Sequence, residues 1–199
     1  MLYAYYHETH LEQWINAKYL NDGISSPSDL DIERIAEAFG IGLVYGNYPS
    51  FSDNEENVIF LNKGLEVVQA RVIFFHELCH VLRHAGDQRR MTELFMHAQE
   101  AEADQFVLYA AIPFYMFAKL PVPDHRNEAV AYIAEQFHVP PALAEQRLDQ
   151  IQRRVLHGSL IAAAQEANRR QREAERGWSP ETRRMLSQLE RQIGGQGGR

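Results

Sequence analysis

Residues Val67 to Leu82 read VVQARVIFFHELCHVL. Apart from Gln69, Arg71 and the polar cluster within residues 76–80, the stretch is apolar on nearly every face when wound as a helix. The spacing predicts a helix buried in a core. Inside it stand His76, Glu77 and His80. Positions i and i+4 of a helix share one face, one turn apart, so the two imidazoles can address a single metal ion. Histidines and a glutamate buried without partners carry a desolvation cost, and a bound cation would offset it. In a chain with 9 His among 199 residues, such a pattern arises by accident only about 0.04 times.

The five residues His76-Glu77-Leu78-Cys79-His80 form the HExxH arrangement: two histidines hold zinc, and the glutamate serves as general base in peptide hydrolysis. Catalytic zinc takes three protein ligands and keeps one position open. The segment from Gln99 to Ala111 holds strong helix formers and neither Gly nor Pro. Glu100 and Asp104 project from one face of that helix, continued by the small or slim Ala103, Val107 and Ala111, which let it approach the HExxH helix. Glu100 is assigned as third ligand. Asp104 is assigned as the carboxylate that accepts the free ring N–H of His76 and so sets its tautomer. Glu102 is the main rival for the metal, about 200° round the helix from Glu100, with Phe106 rather than a carboxylate one turn on. Glu93 is a more distant candidate.

These residues and their flanks resemble the ImmA/IrrE family of metallopeptidases. The resemblance rests on Tyr19-Leu20-Asn21-Asp22-Gly23-Ile24, Pro27, residues 29–32, Ile35-Ala36 and Gly40-Ile41. It continues through residues 74–80 with the HExxH motif, residues 100–106, and Ala111-Ile112-Pro113. It covers residues 19 to 150. Two positions depart from the family's habit: Cys79 stands where Gly is common, and Asp104 where Asn is common. Cys79 points away from the bisector of the two histidines and reads as a small buried thiol. The resemblance implies a zinc endopeptidase that cleaves a helix-turn-helix repressor encoded nearby, relieving repression in a mobile element or a stress response.

Composition sets wider bounds. No apolar run approaches the ~18 residues of a membrane span, and the N-terminal MLYAYYHETHLEQW lacks the basic start and apolar stretch of a signal peptide. The single cysteine excludes an internal disulfide and suits a reducing cytoplasm. A net charge of −7 argues against general nucleic-acid binding.

The expected fold is α+β. A zincin-like core with a small sheet and the HExxH helix leads to a helix-turn-helix-like segment and a helical tail. The division expected is 1–120 for the metallopeptidase domain, 121–157 for the helix pair, and 158–199 for a charged helical tail ending in a disordered GGQGGR. A helix is expected from Asp29 to Phe39, capped by Ser28 or Asp29 and ended by Gly40. A strand follows over Ile41–Tyr45, a polar loop over Gly46–Glu56, and a second strand over Val58–Leu61. If Asn57–Asn62 is an edge strand, it can pair with an extended substrate; if interior, it cannot.

Helices are read over Asn127–His138 and Pro141–Arg154. Arg147, Gln150, Arg153 and Arg154 are available there, but Glu145 and Asp149 are interspersed. Packing or partner docking is therefore expected in preference to direct DNA binding. Past Gly158 the composition changes and favours a further helix over Ser159–Arg176, with another starting at Trp178-Ser179-Pro180. An additional donor to the reaction's oxyanion is expected from His84, His97, Tyr109 or Tyr115. A different reading is a non-catalytic regulatory protein that docks a transcription regulator through the same segments. A third is a zinc hydrolase of a non-peptide substrate.

Overall fold

The first helix begins where its sequence can cap it. The Thr9 hydroxyl accepts from the Glu12 N–H at 3.2 Å, and the Glu12 carboxylate accepts from the Thr9 N–H at 2.8 Å. This reciprocal box opens α1 (His10–Asn21). A 3-10 turn, Pro27–Asp29, precedes α2 (Ile32–Phe39). The helix expected from Asp29 thus starts later, and its cap is Asp31, which accepts from the Arg34 N–H at 3.0 Å. Asp29 serves the preceding turn instead, accepting from the backbone of Ser25 and Ser26 and from the Ser26 hydroxyl. The Ser26 hydroxyl first, then those backbone donors, hold its carboxyl down at about 2. Gly40 ends α2 at φ 69°, in the left-handed region that glycine enters without steric cost.

The computed structural model describes residues 3–84, 93–176 and 179–194. The architecture is α+β, as expected. By contacts the chain divides into two units, His7–Arg153 and Met1–Tyr6 with Arg154–Arg199.

Within the larger unit lies a sheet of β1 (Gly42–Gly46), β2 (Phe51–Asp53) and β3 (Val58–Asn62), in the order β1-β3-β2. β1 runs parallel to β3, and β2 antiparallel. One expectation changes here, and one open alternative is decided. The segment 46–56 is not all loop, since β2 lies in it. β3 is the central strand, so its edges are already used and it cannot accept a substrate chain; β2 is an edge strand. Along β3, Ile59 and Leu61 are fully buried while their neighbours are half-buried, the alternation of a sheet with one core face. Ser52 pairs across from Ile59 and therefore shares that face. Phe51 pairs with Phe60 on the other face, their rings stacked with centroids 4.5 Å apart.

The core face of the sheet receives α3 (Val67–Arg83), which packs against β2, β3 and α4 (Glu93–Ala111). The all-round burial expected of α3 is not what forms. Arg71, Phe74, Phe75, Leu78, Cys79 and His80 are buried, but Val72, Ile73, His76 and Glu77 are only half-buried and Val67 is exposed. The apolar residues on that second face line a cleft rather than the core. A short helix α5 (Phe114–Phe117) follows α4. Tyr19 and Tyr115 hold the surroundings of α4 by hydrogen bonds to the carbonyls of Ala110 and Ile24, at 3.1 and 2.6 Å.

The expected helix pair is present as α6 (Arg126–Phe137) and α7 (Pro141–Arg176), joined through His138 at φ 52°. Two of its four candidate DNA-reading side chains in fact turn inward. Arg147 is fully buried and paired to Glu12 at 2.8 Å, and it donates to the Ile112 carbonyl at 3.0 Å. Gln150 donates to the Tyr109 hydroxyl.

In the smaller unit Arg154 donates to the Tyr6 hydroxyl. The change of composition at Gly158 does not interrupt α7, which runs as one helix. Gly158 is needed there for close packing, because a Cβ would collide with the Tyr5 carbonyl oxygen. α8 (Pro180–Gly194) starts as expected at Pro180, with the Ser179 hydroxyl accepting from the Thr182 N–H at 3.2 Å. Trp178 and residues 195–199 of the expected disordered terminus lie outside the described residues.

Candidate metal centre

α3 and α4 bring the assigned ligands together. Nε2 of His76 and Nε2 of His80 stand 3.0 Å apart. The Glu100 carboxylate reaches both, with Oε2 3.3 Å from His76 Nε2 and Oε1 3.5 Å from His80 Nε2. Donors bound about 2.0–2.1 Å from one tetrahedral zinc ion lie roughly 3.3 Å from each other. Two imidazole nitrogens and one carboxylate at the observed spacings therefore fit a metal ion of that size. Burial first, and then the neighbouring His76, push the His80 pKa down against the pull of Glu100. That shift favours the neutral imidazole, the form that can donate to a metal.

Glu77 lies beside this trio on α3, half-buried at the cleft. Its Oε2 accepts from the Ser52 hydroxyl at 2.7 Å. Sequence reasoning missed Ser52, because it assigned that stretch to loop. A strand there would have been signalled only by the Phe51/Phe60 pair once the register was known. A cleft of about 440 Å³ is lined by His76 and Glu77. Pro49, Leu65, Val72 and Ile73 add apolar lining to it, and Ser50 and Asn62 add polar lining.

The remaining candidates divide plainly. Asp104 Oδ1 is 3.9 Å from His76 Nδ1, longer than a hydrogen bond, and its side chain is 82% exposed. Glu102 faces away from the metal donors and pairs with Arg83 and His84. Burial raises its pKa, but the Arg83 guanidinium and His84 outweigh that and leave it lowered. Glu93 heads α4 and is exposed. Cys79 is fully buried; burial pushes its thiol up to about 12, and it takes no part in the donor cluster.

Of the four possible oxyanion donors, Tyr115 and Tyr109 are engaged with Ile24 and Gln150. His84 is buried behind His80, its Nδ1 2.8 Å from His80 Nδ1. His97 is exposed on α4, one turn before Glu100.

A small sheet, an HExxH helix laid on it and a neighbouring helix carrying the acidic donor define the class, a zincin-like metallopeptidase fold. The chain belongs to the Peptidase M78 family, its residues 36–149 matching the IrrE N-terminal-like domain. A metal ion is implied by that family, and the donor set fits one. Among similar proteins is the phage-like element PBSX protein XkdA of Bacillus subtilis (strain 168). It is 34% identical over 148 residues, spanning 73% of this chain and 75% of that protein. Another is the uncharacterized protein YqaB of the same strain, 30% identical over 145 residues, 72% of this chain and 84% of the relative. A solved structure, a Mycobacterium tuberculosis transcriptional regulator, matches with a TM-score of 0.53 at 16% identity. The match covers 69% of this chain but only 46% of that one, and it shows the fold alone. No helix among the described residues is long and apolar enough to cross a membrane.

Proposed function

We propose that this chain is a zinc-dependent endopeptidase that cleaves a regulatory protein in the cytoplasm. Its substrate is a helix-turn-helix repressor, and cleavage relieves repression. The observation that carries the reading is the convergence of His76, His80 and Glu100 next to a glutamate that a strand hydroxyl holds in the lining of the cleft. Zinc bound by those donors would supply Lewis-acid chemistry at the scissile carbonyl. Glu77 takes a proton from the attacking water and passes it to the leaving amine. The Ser52 hydroxyl keeps the Glu77 carboxylate turned to that task. The unpaired side of β2 suits an extended peptide, which would add as a further strand, and the cleft suits an aliphatic side chain of that peptide. Asp104, whose carboxylate lies 3.9 Å from His76 Nδ1, would bias the orientation of that ring through its charge.

The work divides along the chain. Residues 1–120 carry the chemistry, the helix pair of 121–157 docks the substrate, and 158–199 is a charged tail with no part in the chemistry. The mobile-element setting is supported by the name of XkdA, a protein of a phage-like element.

The Glu77→Gln variant is the test. It is expected to keep the zinc content and repressor binding of the wild type and to lose cleavage of a repressor encoded beside it. If the repressor still disappears in cells carrying Glu77→Gln, the chain is a docking protein and the peptidase reading fails.

A further inference from the structure

The metal-facing nitrogen of His80 is Nε2. Its other nitrogen, Nδ1, lies 2.8 Å from Nδ1 of His84, one helical turn on. His84 is buried, and its Nε2 lies 3.4 Å from Glu102 Oε2. The other Glu102 oxygen accepts from the Arg83 guanidinium. Asn54, in the turn between β2 and β3, donates to the His84 carbonyl, so the backbone of His84 is tied as well as its ring.

One placement of protons satisfies all of these contacts. A cation at the centre requires a lone pair on His80 Nε2, so the His80 proton sits on Nδ1. His84 Nδ1 must then accept it, which leaves the His84 proton on Nε2, directed at the Glu102 carboxylate. With the opposite tautomer of His84, two N–H groups would face each other at 2.8 Å. We propose that His84 and Glu102 are positioning residues, a chain from Arg83 through Glu102 and His84 that fixes the ring and proton of His80 and so holds its Nε2 as a metal donor. This rests on the zinc reading of the site.

The chain is a two-link form of the carboxylate–histidine–metal arrangement, in which the outer partners of a ligating histidine set its tautomer and basicity. It also gives a role to Glu102, which sits on the ligand-bearing helix and yet turns from the metal. His76 differs. Its Nδ1 faces the exposed Asp104 at 3.9 Å, beyond hydrogen-bond reach. Of the two histidines, His80 is therefore the one whose donor atom is set in advance.

The test is zinc affinity of the full chain, measured by competition with a chromophoric chelator, together with ¹⁵N NMR of the histidine rings. His84→Phe fills the space but accepts no proton, and it is expected to weaken zinc binding about 10–100-fold. His84→Gln offers an amide oxygen to His80 Nδ1–H and should restore most of that loss, which a merely space-filling role would not explain. Glu102→Ala, at a half-exposed position, is expected to weaken zinc about 10-fold. In the wild type, the nitrogen spectrum should show His80 protonated at Nδ1 and His84 at Nε2. A folded His84→Phe that binds zinc as tightly as the wild type overturns the proposal, as does a wild-type His84 protonated at Nδ1. If His84→Phe does not fold, an unchanged affinity in Glu102→Ala overturns it in the same way. Wild-type protein that takes up no zinc sinks the metal-site reading itself, and this inference with it.

Discussion

At the scale of single residues, the site splits into what spacing reveals and what it cannot. His76, His80 and Glu77 follow from an i, i+4 pattern, and Glu100 from its helical phase opposite Glu102. Local periodicity carries that information, because residues on one helix keep their relative directions whatever surrounds them. Ser52 and His84 do not follow. The first depends on which face of a strand points to α3, and the second on which way a ring turns behind its neighbour. Both are properties of packing between elements. Ser52 is nonetheless testable alone. Ser52→Ala removes the hydroxyl that donates to Glu77 Oε2, and a hydrogen bond to a charged group contributes about 1.5–3 kcal/mol. The expected result is a kcat about 10–100-fold lower with unchanged zinc content, read by steady-state cleavage and metal analysis.

At the scale of elements, the long helices were legible and the shortest strand was not. α3, α4, α6 and the first turns of α7 have enough capping and apolar spacing to declare themselves, whereas the sequence predicts a separate helix after Gly158 where α7 is continuous. β2 spans only Phe51–Asp53, and a polar, Asn- and Gly-containing neighbourhood hides it. What makes it a strand is pairing with β3, and that pairing leaves β3 interior and β2 at an edge. The stacked Phe51 and Phe60 rings fasten it there. Phe51→Ala is expected to cost about 1 kcal/mol and to speed hydrogen exchange along β2 and β3. Because Ser52 rides on the same strand, cleavage should slow while zinc stays bound. Exchange rates at β2 that match the wild type would show that the stack is not its fastening.

At the scale of the whole molecule, a buried ion pair within the larger unit joins distant parts of the chain. Glu12 caps α1 with one carboxylate oxygen and meets the buried Arg147 guanidinium with the other. The sequence displays Arg147 only as one of several basic residues on a helix; its partner, 135 residues away, is visible only once the chain has folded. Removing one member of such a buried pair strands the other charge, at a cost of about 3–5 kcal/mol. Arg147→Ala should therefore lower the urea midpoint by that amount of stability, whereas an apolar replacement of both partners, Glu12→Leu with Arg147→Met, should recover most of it. This tie also sets a timetable. During synthesis His76, His80 and Glu100 emerge from the ribosome well before position 147, and until then Glu12 lacks its Arg147 partner. The nascent chain therefore passes through a stage in which the whole donor cluster of His76, His80 and Glu100 has been made, but the buried charge pair that joins α1 to α7 has not.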